Sequence, residues 1–199
     1  MKHPPQKQCF DRDYYTRFYL NCDTRIRDEK HIPELADFVF GYLRHLHLPV
    51  RTVLDVGCGL GEWKTALSNR FPKARFQGIE GSDYLCREFG WKKGSAVDFR
   101  LSKTYDFVIC QSVLQYLNDR DAKRALGNLA RHCHGALYLE VVTTKDWRRH
   151  CDKKATDGMI HLRSGSWYRK ELRRYFRTIG GGLFLARKAP VVLWELEEN

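Results

Sequence analysis

Glycines recur at 57, 59 and 61 in "VLDVGCGLGEW", directly behind an apolar run that ends in Asp55. Alternating glycines let a backbone turn sharply and approach a ligand closely, and a helix starting after them offers free N–H groups. A dinucleotide-binding turn has the pattern G-x-G-x-x-G, which rests a pyrophosphate on the helix start. From Gly57 that pattern requires glycine at 62, where the chain has Glu62. Carboxylates at 55 and 62 repel a pyrophosphate and favour a cation. The turn is therefore expected to hold a positively charged ligand, such as a sulfonium carrying an ammonium group. Glu80, 19 residues beyond Gly61, is a further acid for it.

The elements that must position these residues follow from hydropathy. A helix is expected from Pro33 to His47, with Leu35, Phe38, Val39, Tyr42, Leu43 and Leu46 on one face. Strands are expected at "TVLDVG", "ARFQGIEG", "GSAVDF", "YDFVICQ" and "GALYLEVV", with helices at Glu62–Arg70, Asp83–Glu88 and Asp121–His132 between them. This alternation predicts a parallel sheet covered on both faces. A further helix starts near Ser166, and "GGGLFLARKAPVVLWELE" suggests two apolar strands joined by a turn at Lys188–Pro190. Such a hairpin adds an antiparallel strand to the sheet. In open α/β sheets the ligand lies beyond the carboxyl ends of the strands.

The stretch Val53–Trp63 resembles the first motif of class I S-adenosylmethionine-dependent methyltransferases, a hydrophobic strand followed by D-x-G-x-G-x-G, with Asp55, Gly57, Gly59 and Gly61 in register. The resemblance covers roughly residues 35–196. It implies a three-layer α/β/α sandwich whose seven-stranded, mostly parallel sheet has the order 3-2-1-4-5-7-6, strand 7 antiparallel, with additional N-terminal helices. It implies S-adenosylmethionine as cofactor and S-adenosylhomocysteine as product. Glu80 then binds both ribose hydroxyls, Asp98 the adenine amino group, and Phe99 flanks the ring. Cys58, Gly81, Gln111, Ser112 and Gln115 complete the cofactor contacts. Leu60 replaces the family's more usual Thr or Ser. Gln115 stands where many members have histidine, so no histidine base is available there.

Methyl transfer is an in-line displacement, and much of it is achieved by alignment and exclusion of water. A carboxylic acid or a deprotonated amine as acceptor needs mainly positioning; an aliphatic hydroxyl or a carbon needs a general base. Tyr14, Tyr15, Phe18 and Tyr19 form an aromatic stripe at helical spacing, either a packed helix or a lid. The segment 143–165 is a long loop of the kind that commonly carries function. His161 is the foremost base candidate, with Glu140 and Tyr15 as further catalytic candidates. Tyr14, Tyr19, Trp147, Arg163, Trp167 and Tyr168 are candidate acceptor contacts, Arg163 as a clamp for a carboxylate or phosphate. His132, Cys133, His134, His150 and Cys151 lack the spacing of a zinc site, and no metal is expected.

The 199 residues suit a single domain, with a tail and lid helix in 1–34 and the core in 35–199. No apolar run spans a membrane, and no signal peptide is evident. Seven scattered cysteines suit reduced thiols in the cytoplasm. The net charge of +11 is concentrated in residues 145–188, which carry thirteen Lys and Arg against four acids. That excess is either a solvated face or a surface for an anionic partner. Three functions are therefore carried forward: methyl transfer to a small acceptor, an anion among the candidates; methyl transfer to RNA through the basic segment; and cofactor binding without chemistry. The D/N-P-P-Y/F signature of many nucleic-acid amine methylases is absent from "CQSV". Oligomeric state is not legible.

Overall fold

The computed structural model describes residues 10–25, 28 and 30–197. The segment 1–9, expected as a tail, lies outside them. Strands β1 (Thr52–Val56), β2 (Arg75–Glu80), β3 (Lys92–Lys93), β4 (Tyr105–Gln111), β5 (Cys133–Glu140), β6 (Phe176–Gly180) and β7 (Leu183–Ala186) form one seven-stranded sheet, ordered β3-β2-β1-β4-β5-β7-β6. Strand β7 runs antiparallel to both β5 and β6, whereas β1 to β5 pair in parallel. This is the expected topology.

Alternation of side chains along the strands divides the core into two layers. Val53, Phe107 and Ile109 face α2 (His31–His45) and α3 (Glu62–Arg70), meeting Val39, Phe40, Ala66 and Leu67. Leu54, Val108 and Cys110 face the other way, toward Ala125, Leu126 and Leu129 of α5 (Asp119–His132) and Leu172 of α7 (Gly165–Leu172). The apolar run Phe107–Cys110 within β4 reflects burial on both sides. Asp106 fastens the start of β1 to β4: its Oδ2 accepts from the N–H groups of Arg51 and Thr52 at 3.0 and 2.8 Å and from the Thr52 hydroxyl at 3.0 Å.

Several boundaries differ from expectation. Helix α2 begins at His31 and ends at His45, so Pro33 sits in its first turn, where no N–H is needed. The third strand is only Lys92–Lys93, before the expected "GSAVDF", and 96–98 form a turn in which Ser95 O accepts from both Asp98 and Phe99 N–H groups. The hairpin lies earlier than Lys188–Pro190. Gly180, Gly181 and Gly182 all take positive φ and turn β6 into β7. The final apolar run forms no strand: Ala189 N–H bonds back to Ala186 O, Pro190 lacks a donor, and Val192 and Trp194 are exposed. The long loop contains a helix, α6 (Thr144–Arg149), closed by a capping box between Thr143 and Asp146.

Candidate active site

A cavity opens beyond the carboxyl ends of β1, β2 and β4 and is lined by the turns that follow them. The glycine turn holds its shape through Gly57 N–H to Ile79 O (2.7 Å) and Gly61 N–H to Cys58 O (2.9 Å). Gly57 has φ +79°, and a Cβ there would stand 2.2 Å from Cγ2 of Val113, so this position demands glycine for space as well as conformation. Behind the turn, the Trp91 indole N–H donates to Gly59 O at 2.9 Å.

Glu80 ends β2 and clasps the same turn. Its Oε2 accepts from Gly59 N–H at 2.9 Å, and its Oε1 accepts from Gly81 and Ser82 N–H at 2.7 and 2.8 Å. Three of the roughly four lone-pair sites of the carboxylate are thereby used, leaving room for about one further donor. Asp55 is 2% exposed on the cavity wall, and its Oδ2 is buried with no hydrogen-bond partner. Burial, then the nearby Glu80 and Glu62, hold its carboxyl well above the usual range. Glu62 also lines the cavity, and no Lys, Arg or His does so among the described residues. An orphaned buried carboxylate oxygen in such a wall fits a cationic ligand bearing N–H donors. Cys58 lies beside it, its thiol pushed up by burial and then by Asp55 and Glu80.

The floor is a hydrogen-bonded series. Trp63 Nε1–H donates to Gln111 Oε1 at 2.8 Å, and Gln111 Nε2 donates to Glu140 Oε2 at 3.1 Å. The hydroxyls of Tyr138 and Ser112 also donate to Glu140, at 3.0 and 3.4 Å. Ser112 occupies the left-handed region at φ +58°, which turns the chain out of β4 toward the cavity. Gln111 and Ser112 line the cavity, and Glu140 sits behind them as their anchor.

The roof is α1 (Arg12–Tyr15) and its wider continuation through Leu20. Phe10, Tyr14, Tyr15 and Tyr19 line the cavity from above. The Ser82 hydroxyl donates to Phe10 O at 2.5 Å, pinning the roof to the turn after β2. The Tyr14 and Tyr116 hydroxyls lie 2.9 Å apart, and Tyr116 hydrogen-bonds the carboxylate of Asp157. Burial, above all, raises both phenols far above their ordinary value.

The cavity thus unites Asp55, Gly57, Cys58, Gly59, Glu80, Gly81, Gln111, Ser112, Tyr14, Tyr15 and Tyr19 of the expected residues. Gly61 supports the turn from outside the lining, with Trp91 packed on its free face. Others fall elsewhere. Asp98 is exposed outside the cavity, and Phe99 packs against His132; Ser95 and Ala96 line the wall instead, because β3 ends early. Gln115 turns inward, its Oε1 taking Val142 N–H, and the next residue, Tyr116, enters the cavity. His161 is exposed and contributes its N–H to Gln115 O rather than a ring to the cavity. Arg163 is 5% exposed but spoken for: it pairs with Asp119 at 2.7 Å and donates to Leu114 O, Leu117 O and the Tyr168 hydroxyl. Trp167 and Tyr168 pack around that guanidinium, and Trp147 packs near Gly158. None of these three lines the cavity.

A family model for a methyltransferase domain matches residues 53–135. Trans-aconitate 2-methyltransferase of Deinococcus radiodurans is 29% identical over 129 residues, covering 61% of this chain and 49% of that protein. The chain spans about half the length of these curated relatives, another of that name, from Azoarcus, being covered to 45%. Streptomyces venezuelae DesVI superposes with a TM-score of 0.64 at 17% identity, covering 87% of this chain and 96% of that one. CalS10 of Micromonospora echinaspora does so with 0.62 at 17%, covering 91% and 98%. With the sheet order, these comparisons show a methyltransferase-domain match over residues 53–135 on a chain with the fold of class I S-adenosylmethionine-dependent methyltransferases.

Proposed function

We propose that the protein transfers the methyl group of S-adenosylmethionine to a small acceptor enclosed between the tyrosine roof and the Gln111–Ser112 floor. The observation that carries this reading is the single cavity joining the acid-flanked glycine turn to that roof. S-adenosylmethionine supplies, when bound, an electrophilic methyl group on a sulfonium. Asp55 and Glu62 offer carboxylates to the cationic end of the cofactor, and Glu80 retains capacity for one ribose hydroxyl. Ser95 and Ala96 take the adenine end in place of Asp98 and Phe99. Glu140 holds Gln111 and Ser112 in fixed rotamers, which positions the acceptor side of the cavity. Tyr14, Tyr15 and Tyr19 exclude water from the reacting atoms.

Small acceptors are supported by relatives named for trans-aconitate and for an amino pentose. The cysteines are unpaired among the described residues, which supports a cytoplasmic setting. RNA has less in its favour: Arg163 is internally paired, and Lys123 and Arg174 are tied to Glu171. The test is transfer from radiolabelled S-adenosylmethionine into a small-molecule extract and, separately, into total RNA. Label in the small-molecule fraction is expected. Label confined to RNA overturns the reading, and binding of S-adenosylhomocysteine without any transfer points to the non-catalytic alternative.

A further inference from the structure

The hydrogen-bond chain over the cavity has a direction. Asp157 is 7% exposed, and its Oδ1 accepts the Met159 N–H at 2.9 Å. Its carboxylate is an acceptor for the Tyr116 hydroxyl. Tyr116 has one proton and commits it to Asp157, so the 2.9 Å contact with Tyr14 is filled by the Tyr14 proton. Both phenol protons then run toward Asp157. The lone pairs that Tyr14 and Tyr116 retain can only accept. The floor repeats this bias, since the Ser112 hydroxyl proton goes to Glu140.

Charge agrees with polarity. Asp55, Glu62 and Glu80 line the cavity, and Asp157 and Glu140 stand directly behind its lining. No basic side chain lines it among the described residues. Arg163, the expected anion clamp, is turned to Asp119 and to carbonyls. A carboxylate or phenolate acceptor would enter as an anion against this wall, whereas a nitrogen acceptor gains positive charge as it is methylated.

Resting on the small-acceptor reading above, we infer that the acceptor is an amine, and that Tyr14, Tyr116 and Asp157 form the path that takes its proton. An ammonium N–H passes its proton to the Tyr14 oxygen, Tyr14 passes its own to Tyr116, and Tyr116 passes its own to the Asp157 carboxylate. The tyrosines end neutral and Asp157 ends protonated. The freed nitrogen lone pair then forms the N–CH3 bond as the S–CH3 electrons return to sulfur, giving an N-methylated ammonium and a thioether. The titratable groups facing this path are Tyr19, beside both phenols, and Tyr15, which lies near Glu80 and Cys58. Asp157 is a positioning and relay residue, since it acts through Tyr116.

The test reads the class of product before its identity. Extract labelled by the enzyme is separated by cation exchange and treated with mild base. Label retained as base-stable, cationic methylamine is expected. Base-labile label released as methanol, or a neutral methyl ether, overturns the amine assignment while leaving methyl transfer intact; no label in any small molecule defeats the underlying reading instead. The active fraction then serves as acceptor for Asp157→Asn and Tyr116→Phe. Each should lose tenfold or more in kcat at about pH 7 and regain most of it at about pH 10, where an amine loses its proton unaided. S-adenosylhomocysteine affinity should hold. A loss that stays equal across the pH range, or no loss at pH 7, overturns the relay.

Discussion

Glu80→Ala separates the two duties of one side chain. The carboxylate accepts three backbone N–H groups, from Gly59, Gly81 and Ser82, at 2.7–2.9 Å. Hydrogen bonds to a charged group contribute about 1.5–3 kcal/mol each when the partner is lost without replacement. Glu80 is 5% exposed, but it borders the cavity, so water can reach part of the vacated space and reduce the loss. A net destabilisation of about 2–4 kcal/mol follows. In a chain of this size that is a fall in Tm of roughly 5–15 °C. The Gly59 N–H also helps fix the turn against β2, beside the Gly57 and Cys58 bonds to Ile79 O, so the cofactor would lose a hydroxyl acceptor and part of the turn's preorganisation. Affinity for S-adenosylhomocysteine should drop tenfold or more, about 1.4 kcal/mol or above. Thermal scans and calorimetric titration measure the two effects on one preparation. Unchanged affinity with a lowered Tm would refute the cofactor role and leave Glu80 a brace for the turn.

Two further substitutions test the electrostatics. Burial raises the native carboxyl of Asp55, so between its unfolded value and its native one the folded state binds the extra proton and stability falls as pH rises. Asp55→Asn removes that penalty: the ligand-free variant should melt higher than the parent at pH 7–8, with the gain shrinking toward about pH 4, while S-adenosylhomocysteine binds more weakly. Asp106 has the opposite sign. Burial pushes it up, but bonds from Thr52, His134 and the Arg51 and Thr52 backbone outweigh this and lower it. Its stabilisation is present above its unfolded value and lost as pH falls through its native one, so Asp106→Asn should cost about 1–3 kcal/mol at pH 7 and little in acid, as read from denaturant midpoints.

What was legible in the sequence was what the backbone itself demands. The glycine turn and Glu80 were readable because positive φ and the end of a long apolar strand leave local marks. Asp98 was expected at a strand end because "GSAVDF" reads as a strand, whereas the two-residue β3 lies wholly before it, at Lys92–Lys93, which carry no apolar signal. Gln115 drew attention because it stands at the family's histidine position, whereas in the 3-10 turn Leu114–Tyr116 it is the neighbouring tyrosine that lines the cavity. Trp63, Ser95 and Ala96 were missed for want of any chemical signature beyond their place next to a turn. Arg163 and Asp157 were opaque for another reason. Their partners, Asp119 and Tyr116, lie more than forty residues away, and only the packed fold shows that the arginine is consumed and the acid engaged. The one local hint of Asp157 was an Asp-Gly pair inside an otherwise basic segment.

The proposed cofactor is an alkylating agent, and the turn that would hold it carries a nucleophile, Cys58. The thiolate is the reactive form of cysteine, and burial together with the adjoining carboxyls keeps this sulfur protonated. The acids proposed to attract a sulfonium would therefore also protect the protein from methylating itself. A substitution that relieved the negative field or let water in beside Cys58 would expose the protein to slow suicide by its own donor, so the acidity of this wall is a safeguard as well as a means of binding.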